Sequence, residues 1–278
     1  MIGAIIGDIV GSVYEFENID TKDFPLFSKD STFTDDSVMT IAVAESLREY
    51  YLDDIGFRLG DLAVWVFHEI GRKYPGCGYG GQFYKWMMGD VWVPYNSCGN
   101  GSAMRISAVG DIAGTVKEAK KLSKQLTEIT HNHPEGIKGA EACAVAKVLL
   151  KQGKSKEYVR KYIEDNYYKL DKTVDQYREE NAGMHGREIC QITVPQAFEC
   201  FFEGKDFEDV IRNCISIGGD SDTIAAIAGG IAEACYEIPE RMKLNARKNL
   251  TWHLNLIVDD WEDFVENLKK QRGTKNGK

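Results

Sequence analysis

The stretch Val194-Pro195-Gln196-Ala197-Phe198-Glu199-Cys200-Phe201-Phe202 sets apolar side chains at i, i+3, i+4, i+7 and i+8, the spacing of a helix that buries one face. Just downstream, Phe207, Val210, Ile211, Cys214 and Ile215 repeat the template. Upstream, Ile137, Ala140, Ala144 and Val148 follow it with smaller side chains, and Val258, Trp261, Val265 and Leu268 mark a last helix. Further helices are expected near 37–52, 57–72, 102–112, 117–129, 221–236 and 240–249. No segment alternates apolar and polar residues over several positions between hairpin turns, so the fold class read from the pattern is all-α. Two runs of small residues, Gly3 to Gly11 and Ala225 to Ala232, are read as central helices. Gly costs about 1 kcal/mol against Ala inside a helix, and its repeated use there points to close backbone packing. Ordinary core helices would show the same pattern.

The 278 residues carry 34 Lys+Arg against 43 Asp+Glu, a formal net charge of −9. That balance argues against a partner such as the nucleic-acid backbone, which needs a basic field. With 12 Phe, 13 Tyr and 5 Trp spread along the chain, intrinsic disorder is excluded. Seven cysteines without a C-x-x-C pair read as reduced thiols. Met1-Ile2-Gly3-Ala4-Ile5-Ile6-Gly7-Asp8 lacks the basic start of a signal peptide, and no apolar run reaches the ~18 residues of a membrane span. A cytoplasmic chain with no membrane partner is the expectation. No Pro/Gly/Ser-rich linker divides it, so one domain is expected over 1–278, with an irregular surface excursion at 165–188 and a frayed tail at 269–278.

Two acidic clusters stand directly before predicted helices: Thr34-Asp35-Asp36-Ser37 and Gly218-Gly219-Asp220-Ser221-Asp222-Thr223. Either alone is explained by helix capping. Capping does not require two carboxylates plus hydroxyls at both places. Brought together, they would offer four carboxylates that repel one another unless a cation neutralises them. Oxygen-only ligands suit Mg²⁺, Mn²⁺ or Ca²⁺ rather than zinc, and two such clusters can hold two ions sharing a carboxylate and a water. His131-Asn132-His133 has no Cys or Glu at ligand spacing, so zinc is disfavoured there, and His133 before Pro134 reads as a turn into the next helix. Glu15 follows a Gly-rich helix, and Cys98-Gly99-Asn100-Gly101-Ser102-Ala103-Met104-Arg105 is a Gly-rich turn whose helix start and Arg105 suit an anion. Phe16, Phe83, Tyr84, Trp86 and Tyr95 are candidates to stack a base, though aromatics at such positions are more often core or rim residues.

Gly-Asp-x-x-Gly-Ser-x-Tyr-Glu from Gly7, Thr34-Asp35-Asp36, Gly99-Asn100-Gly101-Ser102-Ala103-Met104-Arg105 and Gly219-Asp220-Ser221-Asp222-Thr223 occur in that order. The set resembles the ADP-ribosylglycohydrolase family of the dinitrogenase-reductase-activating type, over roughly positions 1 to 250. The resemblance implies a compact orthogonal multi-helix bundle with a binuclear Mg²⁺ (or Mn²⁺) cleft. It places metal ligands on Thr34, Asp35, Asp36, Asp220, Asp222 and Thr223, with Asp222 shared between ions. It places a catalytic glutamate on Glu15, with Asp36 and Asp222 also at the reacting centre. Asn100, Gly101, Ser102, Met104 and Arg105 would surround the diphosphate and distal ribose, and His131 would lie along the cleft. Gly183-Met184-His185-Gly186 is a further candidate for its border. Where many relatives carry threonine, this chain has Ser37 and Ser221, which keep the hydroxyl.

The implied activity is metal-dependent hydrolysis of the glycosidic bond at C1″ of an ADP-ribose conjugate, on a modified protein side chain or a small derivative. A catalytically silent ADP-ribose-binding or structural relative is the alternative, and its usual mark, lost metal ligands, is absent here. A metal phosphohydrolase reading lacks the His-Asp patterns of such enzymes.

Overall fold

The computed structural model describes residues 1–182 and 187–275, so the Gly183–Gly186 candidate lies outside the described residues. The chain forms α1 (Ile2–Gly11), α2 (Asp35–Leu52), α3 (Leu59–Gly71), α4 (Gly81–Met88), α5 (Gly101–Met104), α6 (Ser107–Ile112), α7 (Val116–Thr127), α8 (Pro134–Lys151), α9 (Lys156–Asn166), α10 (Val174–Asn181), α11 (Cys190–Glu203), α12 (Phe207–Ser216), α13 (Ser221–Ala232), α14 (Glu240–Asn249) and α15 (Trp252–Lys275). Among the described residues there is no β-strand; Gly99 and Ile189 form an isolated antiparallel bridge. The all-α expectation holds. No helix among them is long and apolar enough to cross a membrane.

The stripes read from the sequence are the buried faces. Val194, Ala197, Phe198 and Phe201 on α11, and Phe207, Val210, Ile211, Cys214 and Ile215 on α12, are fully buried. The centre of the bundle is α13, in which every residue from Ser221 to Ala232 is buried. It packs against α1, α8, α11 and α12. A helix apolar on all sides has no solvent face to offer, which is why α1 and α13 take the middle.

Glycine sets how closely these two approach. A Cβ placed on Gly3, Gly7 or Gly11 of α1 would fall 2.3 Å from Gly229 O, 2.1 Å from Ala225 O and 2.3 Å from Asp222 Cα. The partner numbers fall as the α1 numbers rise, so the helices are antiparallel. The C-terminal end of α1 thereby meets the N-terminal end of α13, at Asp222.

Three expected boundaries differ. The helix predicted over 102–112 is two, broken at Arg105 and Ile106 by a tighter turn in which Ile106 N–H donates to Ala103 C=O. The excursion at 165–188 contains α10, closed by a capping box between Thr173 and Gln176. Helix α10 itself buries only Val174 and Tyr177, too few for periodicity to register. Residues 269–275 continue α15. Their Lys, Gln and Arg residues are good helix formers, and the Arg272 guanidinium donates to Ile112 C=O.

Candidate active site

Asp8, one residue beyond the Gly7 contact, is fully buried and is the organiser of the site. Its Oδ2 accepts from Thr34 N–H and Ser37 N–H, each at 3.0 Å, and from the Ser37 hydroxyl; Oδ1 accepts from Thr34 Oγ1 at 2.7 Å. One carboxylate of α1 therefore holds the start of α2. Thr34 Oγ1 accepts in turn from Asp36 N–H at 3.2 Å as the N-cap. The hydroxyl of Ser37 is thus spent on Asp8, away from any ligand.

Asp36 is 2% exposed; its Oδ2 accepts from Thr223 Oγ1 at 3.1 Å, and its buried Oδ1 has no hydrogen-bond partner among the described residues. On the α13 side, Gly218 and Gly219 take positive φ (66° and 75°), a turn that directs Asp220 and Asp222 back toward α1. The Asn18 amide fastens that turn. It donates to Gly219 C=O at 3.0 Å, accepts from Gly219 N–H at 2.9 Å, and donates to Tyr14 and Glu15 carbonyls. Asn100 donates to Asp220 Oδ2 and to Thr193 Oγ1.

The two clusters, far apart in sequence, therefore meet. Asp8, Asp36 and Asp222 bring one carboxylate oxygen each within 4.8 Å of one another, and so do Glu15, Asp220 and Asp222. Asp222 belongs to both groups. Burial first, then mutual repulsion, raises Asp35, Asp36 and Asp222 well above the ordinary aspartate range; burial also raises Asp8 and Asp220. Burial, with Asp220, Glu188 and Asp8 beside it, lifts Glu15 to about 7. An all-oxygen cage with an orphaned Asp36 Oδ1 and mutually repelling acids has the chemistry of a hard divalent-cation site.

A cleft of about 270 Å³ opens onto this cage. Of the residues named from the sequence, Glu15, Asp35, Asp36, Asn100, Gly101, Met104, Arg105, His131, Asp220, Asp222 and Thr223 line it, as do Phe83 and Tyr95. Thr34 stands behind, committed to Asp8 and the α2 cap. Ser102 is not at the cleft: its hydroxyl donates to the carbonyls of Gly99 and Gly136 and so ties the Gly-rich turn to α8. Trp86 is buried against His68 and Phe83, whereas Phe16 is 77% exposed and Tyr84 lies outside the cleft wall. His133 caps α8 and His131 Nδ1 bonds Thr130, so the two histidines do not converge on a metal.

Sequence reasoning missed Asp8 and Glu188. Asp8 had a signal, the Gly3–Gly7–Gly11 face beside it; Glu188, which lines the cleft and is raised by burial and Asp220, had none.

The fold matches a known class. A solved structure described as an ADP-ribosylglycohydrolase-related protein complex superposes with a TM-score of 0.68, covering 97% of this chain and 96% of that one at 21% identity, which establishes the shared fold. The ADP-ribosylglycohydrolase family model matches residues 1–276, and the chain belongs to that family. Among its relatives, the ADP-ribosylhydrolase ARH3 of Mus musculus is 28% identical over 316 residues, spanning 86% of this chain and 84% of that one. The ADP-ribosyl-[dinitrogen reductase] glycohydrolase of Rhodospirillum rubrum is 24% identical over 259 residues, spanning 86% and 85%.

Proposed function

We propose that the cleft hydrolyses the glycosidic bond at C1″ of an ADP-ribose conjugate, with two divalent cations, Mg²⁺ or Mn²⁺, held by Asp35, Asp36, Asp220, Asp222 and Thr223, while Thr34, expected as a ligand from the sequence, supports Asp8 and the α2 start instead. The observation that carries this reading is that Asp222 belongs to both acidic groups at the floor of an open cleft. Bound there, such ions supply Lewis-acid polarisation and a water of lowered pKa.

The chain's own residues do the rest. Asp36 and Asp222 present negative charge toward the anomeric carbon, where cleavage develops oxocarbenium character. Glu15 stands beside Asp220 and Asp222, where its carboxyl can take a proton from water or give one to the leaving group. Asn100, Gly101, Met104, Arg105 and His131 form the wall against which the nucleotide lies. Asp8 touches no substrate; it orients Thr34 and the α2 start.

The test is a panel of ADP-ribosyl-arginine peptide, ADP-ribosyl-serine peptide and O-acetyl-ADP-ribose, with and without EDTA. Release of ADP-ribose from one of them, abolished by chelation and restored by Mg²⁺ or Mn²⁺, is the expected result. Turnover that survives complete metal removal defeats the mechanism, and ADP-ribose binding without turnover of any conjugate identifies a silent relative.

Asn18 offers a milder probe. Asn18→Ala releases the Gly218–Gly219 turn from the Glu15 segment while leaving every proposed ligand in place. Cation affinity measured by calorimetry is expected to fall about tenfold, the usual cost of losing an outer support. Unchanged affinity would show that the turn holds without it.

A further inference from the structure

Arg105, Thr130 and His131 form a buried row in the wall of the cleft. The Arg105 guanidinium, 1% exposed, lies over the rings of Phe67 and Phe83, its Cζ 4.9 Å and 5.5 Å from their centroids. Its Nη2 donates to Thr130 Oγ1 at 2.8 Å, and Thr130 Oγ1 lies 2.8 Å from His131 Nδ1. A guanidinium only donates, so the threonine oxygen accepts there and its single proton is left to place. Thr130 is fully buried, and among the described residues the one other partner of its hydroxyl is His131 Nδ1. Donation to Nδ1 satisfies both groups. The reverse arrangement leaves a buried hydroxyl proton unpaired, at the full desolvation cost of that group.

We infer that Thr130 is a positioning residue that fixes His131 as a neutral imidazole with its proton on Nε2, a donor aimed into the cleft at a diphosphate oxygen of the ligand. His131 is 4% exposed, lines the cleft, and its Nε2 has no hydrogen bond to the described residues. Nε2 lies 3.4 Å from where a Cβ on Gly99 or on Gly101 would stand, so the absence of side chains at both keeps its approach clear. An anionic oxygen is the fitting partner because the row presents a donor only, backed by the Arg105 cation. Burial, with Arg105 beside it, also holds His131 well below the usual imidazole range. The ligand half of this inference rests on the proposed ADP-ribose reading of the cleft.

Nitrogen-15 NMR of the histidine-labelled full chain, with His131 assigned by loss of its signal in His131→Gln, reads the tautomer directly. The expected wild-type spectrum has a protonated Nε2 and a bare Nδ1. Thr130→Val should let the Nδ1-protonated form appear and weaken ADP-ribose binding about tenfold by calorimetry, while Thr130→Ser restores both. A wild-type His131 protonated on Nδ1, or on both nitrogens, overturns the inference, and so does a Thr130→Val spectrum identical to wild type. The wild-type spectrum decides the tautomer even if Thr130→Val fails to fold. An expected tautomer in a chain that does not bind ADP-ribose overturns the ligand assignment and the reading of the cleft, not the relay.

Discussion

Asp222→Asn is expected to lower kcat/KM for the preferred ADP-ribose conjugate by at least about a thousandfold, the scale of losing a central electrostatic group. The same substitution should raise the melting temperature of the chelated protein. Both effects come from one placement: Asp222 is 3% exposed and faces Asp220, Asp36, Glu15 and Asp8. In the proposed two-cation reading, its charge would be the attachment shared between the ions. Without a cation, burial and repulsion disfavour that charge in the folded state. The sign follows from proton linkage. Carboxyls whose folded pKa is raised bind more protons folded than unfolded, so their stabilising contribution is complete below about pH 4 and is lost as pH rises through the folded values. Glu15, lifted to about 7, extends that loss to neutrality. The chelated wild type should therefore melt at progressively lower temperature between about pH 5 and pH 8, and saturating Mg²⁺ should reverse the fall by binding only the folded form. Asp222→Asn removes one repelling charge, so its chelated form should melt about 3 °C or more above wild type at pH 8. Differential scanning calorimetry in EDTA and in Mg²⁺ checks both. A variant that keeps a tenth of wild-type turnover, or a chelated wild type that gains stability toward pH 8, contradicts the cage.

Much of this was legible in the sequence because it rests on periodicity and on local chemistry. The α11 and α12 stripes are the buried faces, and the acidic clusters stand at the starts of α2 and α13, where a helix dipole favours negative charge. What stayed hidden depends on distant approach. Asp8 reads as a single acid in a Gly-rich helix. Its role appears only once Gly7 lets α1 lie against Ala225 and Thr34 is brought over it. Ser102 shares a motif with cleft residues, yet its hydroxyl turns toward α8, a direction that spacing along a four-residue helix does not fix. The helical course of 269–275 was obscured because its anchor, Arg272 on Ile112 C=O, joins residues 160 positions apart.

The glycine contact carries the second large effect, and it falls on the fold itself. Gly7→Ala adds one methyl group where a Cβ would stand 2.1 Å from Ala225 O, 2.3 Å from Ala225 C and 2.6 Å from Ala226 N. All three are backbone atoms of a helix buried along its whole length, so no side chain can swing aside. Gly3 against Gly229 and Gly11 against Asp222 hold the same two helices on either side, so the strain cannot be relieved by a local shift. Alanine gains about 1 kcal/mol of helix propensity over glycine, whereas overpacking against fixed backbone should cost more than about 3 kcal/mol. The net loss should lower the melting temperature by several degrees, about 2 °C or more per kcal/mol in a chain of this size. Cation binding should suffer further, since any parting of α1 from α13 separates Asp8 and Asp36 from Asp222. Gly76→Ala, where a Cβ meets nothing within 4 Å, is the matched control and should leave stability and cation affinity unchanged. If Gly7→Ala unfolds at the wild-type urea midpoint and binds Mg²⁺ as tightly, close approach of α1 and α13 is not what assembles the site.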